Sequence, residues 1–310
     1  MINKVCKAYR SIKEGTFPYK VRCMVNRLYT MRNLFFIRNP ILKETISKYE
    51  IFTRLQKEFA DVEIEETDYS NADERRNTVW ILWLQGFEKA PPLVKACVNS
   101  VKMNLPNREI VLLSLDNLHE YITLPEYIEK KYRAGIISAA HYSDLVRVSL
   151  LCKYGGLWVD ATVLCTEGSF AEQIKDEPLF VYKVLLQQGM EPILASSWLI
   201  SSKKNEEILM YTRKCLYKYW ERHNILLHYF VFHFCFSIAS MKYPLQWKAM
   251  PTYNNHAPHT LQFELNDPFD LHRWNEILRM SQFHKLTHHI REFNRESFFD
   301  HIVDRYGTDA

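Results

Sequence analysis

Two stretches of the sequence hold residues whose types and spacing could do chemistry. One is Ser143-Asp144-Leu145-Val146-Arg147. The other is Tyr154-Gly155-Gly156-Leu157-Trp158-Val159-Asp160-Ala161-Thr162. Asp144 and Arg147 are three residues apart, so on a helix they share a face. If that face borders the cleft that holds Asp160, the cleft has two carboxylates and one guanidinium. A nucleoside diphosphate sugar needs such parts. Its diphosphate gains negative charge as the glycosidic bond breaks, and a cation or an aspartate-held divalent metal can neutralise it. Magnesium-type sites take one or two carboxylates and complete their shell with substrate phosphates. A second carboxylate can hold sugar hydroxyls, and arginine can pair with it or reach the phosphates. Each residue also has an ordinary structural role. Asp144 favours a helix N-terminal dipole, Arg147 is its ion-pair partner, and Asp160 starts a turn. Taken one at a time, the ordinary roles would win.

The elements that must position these residues are legible around them. Ser143 is expected to cap a helix running to Lys153, and Gly155 to supply the left-handed residue that ends it. Leu157 to Val159 then form a short strand, with Asp160 at or just past its end. In open α/β sheets, ligands gather at the carboxyl ends of strands. Upstream, Val79-Trp80-Ile81-Leu82-Trp83-Leu84 is a continuous apolar run that reads as a buried strand. Gln85-Gly86 breaks it. Pro91-Pro92 opens a helix through about Lys102, and Glu109 to Ser114 is a second strand. Strand, helix, strand in this order predicts a parallel pair. Neither G-x-x-x-x-G-K-[ST] nor G-x-G-x-x-G occurs, so a bound nucleotide would need another phosphate holder.

Composition sets the frame. The 310 residues suit one large α/β domain with extensions or two small domains. Residues 1–75 are expected to form a basic, mainly helical extension, with Ile41 to Ala60 as one helix and Asp61 to Arg76 as a linker. Residues 76–310 form the main domain: a ligand-binding core over about 77–190, and a helical, closing part over about 191–310, with 190–250 largely helical and aromatic. Aromatic residues make up 14% of the chain, and most are assigned to the core. Seven cysteines are scattered without any C-x-x-C pair, which disfavours zinc and disulfides and fits a reducing cytoplasm. Neither a signal peptide nor a membrane-spanning run is read from the sequence. The apolar stretch Ile225 to Met241 contains His228 and His233 and is expected to be a buried helix or strand. The net charge of +4 hides an asymmetry, because residues 1–43 hold ten Lys/Arg and one acid, Glu14. Two readings stand for this segment: an anionic membrane surface takes it up through its basic and aromatic residues, or it packs as a helical hairpin on the main domain.

The combination S-D-x-x-R followed by Y-G-G-x-W-x-D-A-T resembles the capsular polysaccharide synthesis protein family. That family is related to glycosyltransferases with DXD-bearing sugar-binding regions, including yeast-type α-mannosyltransferases and large clostridial toxins. The resemblance extends to Val79–Gly86 and Ala90–Val94, and weakly to Ser197–Ile200 and His284–Thr287, so it covers most of residues 77–290. It implies a GT-A-type, Rossmann-like nucleotide-sugar-binding core with helical N- and C-terminal extensions, and a UDP- or GDP-sugar donor. By the same resemblance, Asp144 and Arg147 contact the donor sugar or diphosphate, with Ser143, Gly156 and Trp158 beside them. Trp83, Gln85 and Gly86 lie near the nucleotide. Asp160 is the first aspartate of DXD and the metal contact for Mn²⁺ or Mg²⁺. The second aspartate is replaced by Thr162, so the metal set becomes Asp160, Thr162 and His284. Related folds close the donor site with a C-terminal His or Lys, which makes Lys285 a phosphate contact; the other reading of His284 to His289 is a solvated basic patch. His233 is weighed as a cleft residue against a hydrogen-bonded core histidine. The group usually retains anomeric configuration.

The resulting expectation is a glycosyltransferase acting on a glycan or lipid-linked glycan acceptor, cytoplasmic and peripheral on the inner face of the cell membrane. The alternative is a catalytically inactive nucleotide-sugar- or carbohydrate-binding protein. Nucleic acid is not expected as a partner, because no recognised motif accompanies the basic segment and the remaining chain is net acidic.

Overall fold

The computed structural model describes residues 37–64, 72–184, 192–289 and 293–307. The sequence readings for residues 1–36 lie outside them.

Helix α1 (Pro40–Glu58) comes first, capped by Asn39, whose side chain accepts from the amides of Ile41 and Leu42. Strand β1 (Thr78–Leu82), helix α2 (Pro92–Asn104) and strand β2 (Glu109–Leu113) follow, and the two strands pair in parallel. Helices α3 (Glu126–Arg133) and α4 (Ala139–Tyr154) lead into β3 (Gly156–Val159), which lies on the other side of β1, again parallel. The remaining core elements are β4 (Val163–Cys165), α5 (Ser169–Gln173), β5 (Leu179–Lys183), β6 (Ala195–Ser202), α6 (Glu207–Arg222) and α7 (Val231–Lys242). The chain closes with α8 (Pro244–Ala249), α9 (Thr260–Glu264), α10 (Leu271–Met280), β7 (Phe283–Lys285) and α11 (Phe298–Tyr306).

The main sheet has the order β2-β1-β3-β6-β5, with β6 antiparallel to both of its neighbours. Chain connections leave β1 towards β2 on one side and towards β3 on the other. This reversal opens a crevice at the carboxyl ends of β1 and β3, where such sheets bind ligands. One sheet face, with Trp80, Leu82, Trp158 and Ile200, packs on α4, α6 and α7. Helix α1 joins the same cluster through Phe52 and Leu55. The other face, with Val79, Ile81, Leu157 and Val159, packs on Val94, Val98 and Val101 of α2. A third cluster joins Leu93 and Cys97 of α2 to Trp274, Ile277 and Ile302 near the C-terminus.

One expectation is corrected. Ser143 is not the helix cap. The helix starts earlier, at Ala139, and Ser138 caps it by accepting from the His141 amide, because the Ser138 backbone is extended while Ser143 is already within the second turn. The segment 190–250 is largely helical, as expected, but it also holds a strand. Residues 195–202 form β6, buried between β3 and β5, where a strand sealed on both faces needs no alternation of polar and apolar residues. The Ile225 to Met241 stretch, expected as a buried helix or strand, holds α7 from Val231 onwards, buried along most of its length. No helix among the described residues is long and apolar enough to cross a membrane.

Gly155 and Gly156 turn the chain from α4 into β3 with φ of +67° and +98°. Gly155 combines its positive φ with an extended ψ of −155°. A Cβ on Gly156 would stand 2.6 Å from the Thr78 carbonyl oxygen and 2.8 Å from that of Arg75. The pair is therefore a passage between neighbouring backbones, which only glycine fits.

Glu206 caps α6 by accepting from the Leu209 amide at 2.8 Å. It is almost fully buried, and burial pushes its carboxyl up to about 7. A raised carboxyl binds its proton more tightly when folded than when unfolded. The stabilisation is full below the unfolded value and is lost as pH rises towards 7. Glu206→Gln keeps the capping oxygen without this titration. Thermal melts at pH 5 and pH 8 should show a smaller alkaline drop in the variant than in the native chain.

Candidate active site

The crevice holds a cavity of about 370 Å³. Leu82 to Gln85 wall it after β1, and Asp160 to Thr162 wall it after β3. Helix α4 contributes Ala139, Ala140, Ser143, Asp144 and Arg147, Ser197 comes from β6, Tyr229 from the turn before α7 and His233 from its first turn. Lys285, His288 and His289 complete it from the C-terminal part.

Arg147 is the hinge of the site. Its Nη1 donates to Asp144 Oδ1 and its Nη2 to Asp160 Oδ1, both at 2.7 Å. Its side chain is only 5% exposed, so its charge needs this compensation. The Trp158 ring lies 5.0 Å from the guanidinium carbon and the Phe232 ring 5.6 Å; both distances suit cation–π attraction. The i,i+3 spacing of Asp144 and Arg147 places both on the cavity side of α4.

Asp160 is held on both oxygens. Besides Arg147, the indole Nε1 of Trp158 donates to Oδ1 at 2.9 Å. Lys285 Nζ donates to Oδ2 at 3.0 Å and to Thr162 Oγ1 at 2.6 Å. Burial alone would push the Asp160 carboxyl up, but Lys285 and Arg147 outweigh it and hold it below its usual value. Lys285 arrives through a two-stranded ladder. Strands β4 and β7 pair antiparallel, with Val163 opposite Lys285 and Leu164 opposite His284. The Leu286 amide then donates to the Thr162 carbonyl at 2.9 Å, locking the return strand beside Asp160.

The structure thus brings together Trp83, Gln85, Ser143, Asp144, Arg147, Asp160, Thr162 and Lys285 at one cavity. Four expected residues do not line it. His284 is fully buried, because neighbours on a strand point to opposite faces and Lys285 takes the cavity side. Gly156 lies between backbones, as described above. Gly86 turns the chain at φ +83° behind Gln85. Trp158 stands under the wall and positions Asp160 and Arg147 rather than facing the cavity.

His233 does line the cavity, and burial lowers it to about 4, so it is neutral near pH 7. Sequence reasoning gave no role to His141, Ser197 or Tyr229. His141 is buried, with Nδ1 3.3 Å from Asp144 Oδ2 and its ring against Trp220. Its i,i+3 spacing to Asp144 was the available signal. Above the opening, the His288 ring meets Trp83 edge-on at 5.3 Å.

The donor set does not fit a divalent cation. Magnesium-type ions need oxygen ligands at about 2.0–2.1 Å, yet both Asp160 oxygens and the Thr162 hydroxyl already accept from cationic or indole donors, and His284 faces away. Among the described residues no group of three or more His, Cys, Asp or Glu could hold a metal.

Comparison with known proteins adds to this geometry. A family profile described as "Capsular polysaccharide synthesis protein" matches residues 32–302. The O-glycosyltransferase braB of Annulohypoxylon truncatum is 34% identical over 92 residues, 27% of this chain. The match spans about a fifth of that relative's length (22%). The solved structure of the PaToxG glycosyltransferase is 14% identical and covers 66% of this chain and 82% of its own. Its TM-score of 0.39 is below the level at which a shared fold follows.

Removing Arg147 would leave two carboxylates facing each other across a largely buried gap. Arg147→Ala should therefore cost about 3 kcal/mol or more of folding stability. Arg147→Lys should recover only part of this, since a single ammonium cannot fork to both partners. Urea denaturation of the three proteins checks both expectations.

Proposed function

We propose, from the premise that the chain belongs to the capsular polysaccharide synthesis protein family, that it transfers a sugar from a nucleoside diphosphate sugar to a saccharide acceptor. The observation that carries the proposal is the pair of carboxylates and pair of cations on one cavity at the crevice of the sheet. Asp144 accepts from hydroxyls of the donor sugar. Arg147 and Lys285 face the diphosphate. Trp83 and Gln85 border the nucleotide. Asp160 holds both cations in place. The mixed sheet with its crevice at β1 and β3 supports a GT-A-type assignment of the fold.

In the transfer, the bond between the anomeric carbon and the phosphate oxygen breaks, and its electron pair stays on the phosphate. The acceptor hydroxyl oxygen bonds to the anomeric carbon. Its proton passes to the departing phosphate, and a nucleoside diphosphate is released. When the acceptor hydroxyl enters on the face of the anomeric carbon that the phosphate leaves, no covalent nucleophile is needed and configuration is retained. The cations are worth more here than in water because they are themselves sheltered and fixed in place.

A capsular or other surface polysaccharide is the product, and a lipid-linked glycan is the acceptor. The reaction then takes place at the cytoplasmic face of a membrane, with residues 1–43 supplying the basic attachment.

Measurements of turnover, product stereochemistry, donor-induced stabilisation and membrane binding test this reading. Purified protein incubated with UDP- and GDP-sugars and saccharide acceptors should release nucleoside diphosphate from one donor, and Asp160→Ala should not; nuclear magnetic resonance of the product should show a retained anomer. Failure of every donor to react or to raise the melting temperature would overturn the reading. Anionic vesicles should bind the full chain better than a chain lacking residues 1–40, and equal binding would remove the membrane role.

A further inference from the structure

We propose that the ammonium of Lys285 takes the place of a divalent cation, so that the chain binds the donor diphosphate without metal. The inference rests on the function proposed above and deepens it. Its starting point is the pair of groups that Lys285 occupies. A metal held by Asp160 and Thr162 would sit between Oδ2 of one and Oγ1 of the other, and Lys285 Nζ is there, 3.0 Å and 2.6 Å away. A lysine ammonium has three donors and no acceptor. Two are spent on this cradle, and one remains for a phosphate oxygen.

The position is built rather than incidental. The β4–β7 ladder fixes Lys285 opposite Val163, next to Thr162. The Leu286 amide bonded to the Thr162 carbonyl closes the ladder just beyond it. The Lys285 side chain is 21% exposed and Asp160 23%, so the ammonium is sheltered yet opens on the cavity. Asp160 Oδ1 is engaged by Arg147 and Trp158 at the same time. A divalent ion at Oδ2 and Oγ1 would have to displace the ammonium from both groups, and the displaced charge, still tethered nearby, would repel it. The Thr162 substitution follows the same logic. An aspartate there would bring a second anion to a metal, whereas a threonine hydroxyl is enough to orient a lysine. With two carboxylates and two cations, the cavity is electrically balanced before the ligand arrives. The diphosphate is then met by a fixed point charge, a role lysine performs in other phosphate sites.

The test is calorimetric titration of the full chain, stripped with EDTA, with UDP, GDP, ADP and CDP, each with and without Mn²⁺. At least one diphosphate should bind, and Mn²⁺ should change its affinity by less than about threefold. Lys285→Met keeps the buried stem and removes the charge. It should melt as a folded protein, lose about tenfold or more in diphosphate affinity, and leave the affinity for the matching nucleoside unchanged. Mn²⁺ should restore part of the loss, because Asp160 and Thr162 are then open to it. Lys285→Arg, which keeps the charge, provides the second variant and should retain metal-free binding. Diphosphate binding by the native chain only with Mn²⁺ would overturn the inference and leave the donor site standing. Equal affinity of Lys285→Met and the native chain without metal would overturn it too. No binding of any diphosphate, with or without Mn²⁺, would remove both this inference and the function on which it rests.

Discussion

The fork of Arg147 between Asp144 and Asp160 is the interaction on which the rest of the site depends. Both bonds are 2.7 Å long; the one to Asp144 stays within α4, and the one to Asp160 ties that helix to the end of β3. A guanidinium this buried is tolerated only when every neighbour supports it, since an incompletely matched buried ion costs more than it gains. The surroundings follow from that constraint. Trp158 and Phe232 bring ring faces. His141 sits behind Asp144. Trp158 Nε1 and Lys285 add two further donors to Asp160. The tryptophan therefore serves twice, through its ring and through its indole nitrogen.

Local parts of this arrangement were legible in the sequence, and distant parts were not. The apolar run at Val79 gave β1, the Pro91-Pro92 pair gave α2, and the positions of Asp144, Arg147 and Asp160 gave one cavity wall, because each signal lies within a few residues. Ser143 misled as a cap: serine is also an ordinary cavity residue, and Ser138 had the same chemistry one turn earlier. Strand β6 escaped notice because it is sealed on both faces, which removes the period-two signal. The β4–β7 pairing joins residues more than a hundred positions apart, so no local pattern reports it. Hence the sequence placed both His284 and Lys285 at the site, and only strand alternation could choose between them.

That alternation makes register decisive. A slip by one residue between β4 and β7 would turn the imidazole of His284 towards Asp160 and the ammonium of Lys285 into the core. The third hydrophobic cluster opposes such a slip. Leu164 and Leu286 pack within it beside Trp274 and Ile302, and shifting either would expose apolar surface. The chemistry of one side chain is thus secured by packing on the far side of its strand.

The order in which the chain is made gives β7 a further meaning. Most of the cavity wall is complete by His233, but its second cation lies about fifty residues later, in a strand that returns to pair with β4. Synthesis runs from the N-terminus, so a growing chain carries Asp160 and Arg147 long before it carries Lys285. The crevice of an unfinished chain is one positive charge short, and full balance arrives only with β7.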